Sequence, residues 1–256
     1  ILSPLQGHVF GRMTVAQTLK TPQGRTLAYH LTDGRGPCVV FLGGLKSDMQ
    51  GTKAVFLEGW ARREGRAFLR FDYSGHGESS GDFTDGCIGD WAQDSLAAVT
   101  ALTKGKIVPV GSSMGGWQSL LLCRAIPDRI AGLVTIAAAP DFIEDGYWAS
   151  FSDAQKQQLQ TEGRVELPSD YMEPYIITKR MIEDGRKQLV LRSALDLPFP
   201  VRFLQCTADS AVSVATAVQL LQHATGPDLQ LQPVSYTHRT LPPTDPGDSI
   251  VYAAHV

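Results

Sequence analysis

The feature that most constrains this chain is a passage near its middle. Ile107-Val108-Pro109-Val110 is a short apolar run that passes without a linker into Gly111-Ser112-Ser113-Met114-Gly115-Gly116. A helix-like apolar stretch, 117–125, follows at once. A strand that turns this sharply into a helix holds its apex residue in a strained backbone conformation and projects that side chain above the sheet. The positions two before and two after the apex are crowded by the neighbouring strand and helix, so they call for glycine. Gly111 and Gly115 stand at those positions around Ser113, giving G-x-S-x-G in a strand–turn–helix context. The helix then aims its first amides at the serine hydroxyl. These are the surroundings of a nucleophile. The alternative, a Gly/Ser turn with a capping serine, does not account for the flanking strand and helix.

The rest of the chain alternates apolar β-like runs with helix-like stretches, the pattern of a mainly parallel sheet with helices on both faces. Strands are expected over 25–31, 38–42, 67–71, 107–110, 130–138, 198–204 and 229–234, and helices over 52–64, 90–102, 117–125 and 214–223. The turn-forming run Asp33-Gly34-Arg35-Gly36-Pro37 ends the first strand. From 140 to about 197 no core strand is visible, and aromatic and Met residues are mixed with polar ones. A helix is expected to start near Pro174, which suits a first turn, and to stop at Gly185. An excursion of this length between sheet strands is expected to be a helical lid over the site. A second helical layer with no role in binding is the alternative.

A chain of 256 residues with 43% apolar and 19% charged residues suits one large α/β domain with a buried core. The net charge is −3 and no Lys/Arg cluster is present, which argues against nucleic acid as a partner. No run approaches the ~18 apolar residues of a membrane span, so no stable membrane insertion is expected. Cys38, Cys87, Cys123 and Cys206 are far apart, without metal spacing, and are expected to be buried reduced thiols in a cytoplasmic protein. Met13 is the expected natural start, with the domain running from there. The stretches 1–12 and about 240–256 are expected to be non-native or disordered tails.

The chain resembles the α/β-hydrolase family from about Arg25 to His238. Phe41-Leu42-Gly43-Gly44-Leu45 looks like the family's oxyanion loop, with Gly43-Gly44 where a His-Gly pair is common. Asp72-Tyr73-Ser74-Gly75-His76-Gly77-Glu78-Ser79 looks like its D-x-x-G-x-G-x-S loop, a structural support in which His76 lines a turn. More narrowly, Gly44-Leu45-Lys46-Ser47-Asp48-Met49 with Gly51-Thr52-Lys53-Ala54, and Arg70 to Gly77, resemble a bacterial subgroup. That subgroup is related to a mitochondrial palmitoyl-protein thioesterase that is also a mycophenolic acid acyl-glucuronide esterase. The resemblance implies an oxyanion hole made by the backbone N–H groups of Leu45 and Met114. Gly44, Trp148 and Tyr175 are the candidate substrate-binding residues.

A serine nucleophile needs a base, and the base an orienting acid, in the chain order Ser, Asp or Glu, His. The acid belongs just after the strand that follows the lid, which selects Asp209 over Asp196, ahead of that strand, and Asp228, beyond the next helix. Where the family commonly shows H-G-x-x-D-x-x-V-P, this chain has Gln205-Cys206, keeps Asp209 and Val212, and has Ser213 for Pro. Of six histidines, only His238 lies where the base belongs, just after the final strand. The subgroup's Gly-Asp-His-Arg is here Tyr236-Thr237-His238-Arg239. Pro242, Pro243, Pro246 and Gly247 forbid the closing helix that normally follows. The segments 234–238 and 240–242 also look like translated sequencing-adapter read-through. Two readings stay open: His238 is the base, or the natural chain ends near Pro233 and His238 stands there by accident. His238 is retained.

The expected activity is hydrolysis of carboxylic esters or thioesters through an acyl-enzyme, with no cofactor or metal. The expected partner is a small-molecule or acylated-protein substrate, and the resemblance points to long-chain acyl thioesters or acyl glucuronides. A non-catalytic protein of the same fold that binds a ligand or partner is the competing reading.

Overall fold

The computed structural model describes residues 15–168 and 174–234. The chain opens with strand β1 (Gln17–Lys20), β2 (Thr26–Thr32), β3 (Arg35–Leu42), helix α1 (Thr52–Arg63) and β4 (Arg66–Phe71). It continues with α2 (Ile88–Leu102), β5 (Ile107–Ser112), α3 (Met114–Ala125) and β6 (Leu133–Ile136). The excursion holds a π-helical turn (Ile143–Trp148), α4 (Asp153–Glu162), β7 (Arg164–Leu167), β8 (Tyr175–Thr178) and α5 (Lys179–Gly185). Then come β9 (Leu195–Asp196), β10 (Val201–Cys206), α6 (Val214–His223), β11 (Ala224–Thr225) and β12 (Leu229–Val234).

Eight strands form one sheet in the order β1-β2-β4-β3-β5-β6-β10-β12. Only the β1–β2 and β2–β4 pairs are antiparallel; β3, β4, β5, β6, β10 and β12 run parallel. The expected α/β-hydrolase architecture is therefore present. The central strands read as continuous apolar runs because helices cover both faces. On one face Ala54, Leu57, Trp60 and Ala61 of α1 pack on Val39, Phe41, Phe68, Val108 and Val110. On the other, Trp91 of α2 and Trp117 and Leu120 of α3 pack on Leu27, Val40, Leu42, Leu69 and Phe203.

Several boundaries differ from the sequence expectation for local reasons. β1 was not anticipated, because it is a four-residue edge strand with mostly exposed side chains. The helix α3 begins at Met114, directly after Ser113, not at Trp117. The strand expected over 130–138 is cut to Leu133–Ile136, with Ile130 making a single bridge to Ile107. Pro174 does not open a helix. It precedes β8, whose Tyr-Ile-Ile-Thr sequence favours an extended chain and pairs antiparallel with β7. The helix starts at Lys179, capped by the Thr178 hydroxyl accepting from Met181 N–H at 3.1 Å, and ends at Gly185 as expected. The excursion thus carries a hairpin beside its helices, and none of its described strands joins the main sheet.

Both roots of the excursion are tied together. Asp141, fully buried at φ +57°, accepts from the Val190 and Leu191 amides at 2.8 and 2.9 Å and from Arg192 Nη1 at 3.3 Å. On α5, Asp184 Oδ2 accepts the Gly89 N–H at 2.6 Å, in the first turn of α2.

Candidate active site

Ser113 sits between the end of β5 and the first residue of α3 with φ +55° and ψ −119°. A non-glycine residue there carries strain of order 1–3 kcal/mol and persists only when its surroundings over-determine it. They do: the Ser113 N–H donates to Ile136 O at 3.0 Å, and its carbonyl accepts from the Gly116 and Ala139 amides at 2.9 and 3.1 Å. The two glycines are required by contact. A Cβ at Gly111 would lie 2.1 Å from Gly115 O and 2.3 Å from Ser119 Oγ, in the following helix. A Cβ at Gly115 would lie 2.0 Å from Leu42 O, at the end of β3. Met114 is buried directly behind the serine, at the helix N-terminus.

The loop after β3 lies against this elbow. A Cβ on Gly44 would stand 3.5 Å from Ser113 Cβ, which puts Gly44 beside the serine and the half-buried Leu45 one residue further on. Ser47 N–H closes a turn onto Gly44 O at 3.1 Å. Residues of β4 and its continuation hold both ends of the loop. Tyr73 OH donates to Gly43 O at 3.3 Å, Asp72 Oδ1 accepts the Met49 N–H at 2.6 Å, and Arg70 Nη1 donates to Met49 O at 2.8 Å. Burial pushes the Asp72 carboxyl up to about 6, against the lowering effect of the Glu78 and Met49 amides it accepts. His76 lines the turn beneath, as expected for a residue other than the base. Its Nδ1 lies 3.1 Å from Ser74 O, and its ring sits edge-on to Tyr73, Phe83 and Trp91. Burial lowers its pKa, because desolvation disfavours the charged ring.

Asp209 lies in the loop after β10, and its Oδ1 accepts the Ala211 and Val212 amides at 2.8 and 2.9 Å. Val212 packs with Ala137, Ala139 and Phe142, so the Asp209 loop meets the segment that bonds to the Ser113 carbonyl. Lys53 on α1 is close enough for the Asp209 charge to act on it, although burial is the larger effect and lowers the Lys53 pKa. The structure therefore brings Ser113, Gly44, Leu45, Met114 and the Asp209 loop to one end of the sheet, at the carboxyl ends of β3, β5 and β10, where open α/β sheets bind ligands. The carboxylates set aside from the sequence lie elsewhere. Asp228 pairs with Arg202 at 2.9 Å, and its carbonyl accepts the Val201 N–H at the start of β10, the opposite end of the sheet. Asp196 pairs in the short β9–β11 ribbon. His238 lies outside the described residues, four positions beyond the end of β12.

The two aromatics expected to bind substrate are placed differently. The Tyr175 ring lies 5.5 Å from Lys46 Nζ, next to Leu45, and so borders the loop. The Trp148 ring takes Lys156 Nζ at 5.3 Å and Arg186 at 4.4 Å, and its described ring contacts stay within the excursion. Sequence reasoning missed Phe142, whose ring meets Trp117 and Tyr147 edge-on at 5.6 and 5.5 Å, because nothing in its neighbourhood patterns it towards the elbow. Among the described residues no group of His, Cys, Asp and Glu could hold a metal ion, and no helix is long and apolar enough to cross a membrane.

This sheet order, with a serine at a strained strand–helix turn, defines a class, and comparison agrees. Residues 39–173 match the family described as alpha/beta hydrolase fold. The chain belongs to that family. It is 32% identical over 220 residues to the mitochondrial palmitoyl-protein thioesterase ABHD10 of Rattus norvegicus, covering 85% of this chain and 74% of that protein. With the Homo sapiens protein of the same name it is 30% identical over 215 residues, covering 83% and 70%. Among solved structures, one from Agrobacterium vitis S4 superposes with a TM-score of 0.86 at 34% identity, covering 94% of this chain and 96% of the other. Mouse alpha/beta hydrolase domain-containing protein 10 gives 0.83 at 27% identity, with the same coverage. These likenesses support a hydrolase with esterase or thioesterase relatives.

Proposed function

We propose that this chain is a serine hydrolase that cleaves carboxylic esters or thioesters through an acyl-enzyme. The observation that carries the reading is Ser113 itself, held at φ +55° on a turn that serves to present its side chain. On this reading Ser113 Oγ attacks the acyl carbonyl as His238 takes its proton. The N–H groups of Leu45 and Met114 receive the oxyanion, a contribution typically worth about 10²–10³ in kcat per donor. Asp209, with Oδ1 occupied by two backbone amides, turns Oδ2 to the His238 imidazole and fixes its tautomer. His238 then protonates the leaving group and activates the water that releases the acid. Gly44 and Tyr175 border the reacting carbonyl, and Trp148 belongs to the lid over the acyl group.

The resemblance to palmitoyl-protein thioesterases supports long-chain acyl thioesters as substrates, with acyl glucuronides as a second class. The four free cysteines suit a reducing compartment, for which we propose the cytoplasm. The relatives are named mitochondrial, and cell fractionation distinguishes the two.

The test is labelling with a fluorophosphonate probe, followed by p-nitrophenyl esters from acetate to palmitate and a palmitoyl thioester. Labelling that disappears in Ser113→Ala, with hydrolysis rising towards longer acyl chains, is expected. An unlabelled parent chain would leave a ligand-binding protein of the same fold. If His238→Ala retains most of the esterase activity, the base is another residue.

A further inference from the structure

Gln205, one residue inside the end of β10, is only 1% exposed. Its Nε2 donates to two carbonyls, Cys206 O at 3.1 Å and Val212 O at 2.8 Å. These are the two ends of the 206–212 loop that carries Asp209. Within the loop, Asp209 N–H donates to Cys206 O at 3.4 Å, and Asp209 Oδ1 accepts from Ala211 and Val212. The loop is therefore braced twice, by a side-chain amide across its base and by its own carboxylate across its far arm. Because both partners of Nε2 are acceptors, the orientation of the amide is determined: the flipped form would set Oε1 against two carbonyl oxygens. The orientation adopted leaves Oε1 buried without a hydrogen-bond partner among the described residues. Buried amide oxygens are ordinarily paired.

We propose that Gln205 is a positioning residue that holds the 206–212 loop so that Asp209 meets the base at a set distance. It acts on the reaction only through Asp209, and the inference rests on Asp209 being the acid of the triad. The experiment measures kcat, KM and Tm with a p-nitrophenyl ester for the parent chain, Gln205→Met, Asp209→Asn and the double variant. Gln205→Met is expected to lower kcat about 10- to 100-fold with KM within about twofold, as for a catalytic group displaced by about an ångström. In the Asp209→Asn background the same substitution is expected to change kcat by less than about twofold while lowering Tm as much as in the parent. A merely structural role would reduce activity by the same factor in both backgrounds. Gln205→His, which keeps one donor, is expected to fall between, and it replaces Gln205→Met in both backgrounds if that chain does not fold. Parent-like kcat in Gln205→Met, or equal fractional losses in the two backgrounds, overturns the proposal. Parent-like kcat in Asp209→Asn overturns instead the assignment of the acid.

Discussion

Ser113, the proposed nucleophile, is held in its place at the expense of stability. Its backbone angles belong to a region that glycine enters freely and serine does not. Replacing Ser113 by glycine should therefore relieve strain. A gain of about 1 kcal/mol in unfolding free energy is expected from urea denaturation, after the extra entropy of an unfolded glycine is subtracted. Activity should fall at the same time by about 10⁴-fold or more, as when a triad nucleophile is lost. Unchanged stability would mean that the elbow is less strained than its angles imply. Asp72 makes a second prediction at this scale. Its carboxyl is raised by burial to about 6 in the folded chain, so between the usual carboxylate range and pH 6 the folded state binds the extra proton. Its contribution to stability is therefore most favourable at acid pH and is lost as pH rises towards and through 6, by at most about 3 kcal/mol. Comparing urea denaturation of the parent and Asp72→Asn from pH 4.5 to 7.5 isolates this slope, which a parallel pair of curves would refute. Both residues could be picked out in the sequence, Ser113 by its flanking glycines and Asp72 by its loop pattern. The Met49 amide that Asp72 accepts was not visible, because it arrives from a loop 23 residues earlier.

Among the elements, the excursion between β6 and β10 departed most from expectation, and its attachment is what the sequence concealed. Asp141 supplies both oxygens to the far root of the excursion, at Val190 and Leu191. Asp141→Ala would leave those two amides buried and unpaired. A loss of about 2–4 kcal/mol follows, which for a domain of this size is a Tm lower by about 5–15 °C in a thermal scan. A shift below about 2 °C would show that the two roots hold together by other contacts. The helix α6 and strand β12 match the expected 214–223 and 229–234 to the residue, and the structure shows the Ser213 hydroxyl capping the first. The hairpin of β7 and β8 was not legible. Its strands are four residues each, and Pro174 gives the same signal before a strand as before a helix.

At the scale of the whole molecule, the parallel order β3-β5-β6-β10 aligns the carboxyl ends that bear the Gly44–Leu45 loop, Ser113 and the Asp209 loop. The same burial encloses the four cysteines. All are free and buried, and burial pushes the Cys38 and Cys87 thiols up to about 12. Ellman's reagent should consume all four thiols in denaturant, and well under one within minutes in the folded protein. Rapid reaction of the native chain would show that the core opens on that timescale.

The sequence by itself determined the strand–turn–helix at Ser113, because steric exclusion at Gly111 and Gly115 acts over a few residues and leaves its mark in their identities. It also determined the alternation of buried strands and amphipathic helices, which depends on local periodicity. Only the tertiary structure decided what surrounds that serine: the grip of Arg70, Asp72 and Tyr73 on the loop after β3, the clasp of Asp141 across the excursion, and the brace of Gln205 beneath Asp209. The first two are hydrogen bonds made by buried polar groups whose partners are chosen by where the sheet brings the chain back, and the third depends on how the loop after β10 folds over the buried Gln205 amide. No local pattern records that return.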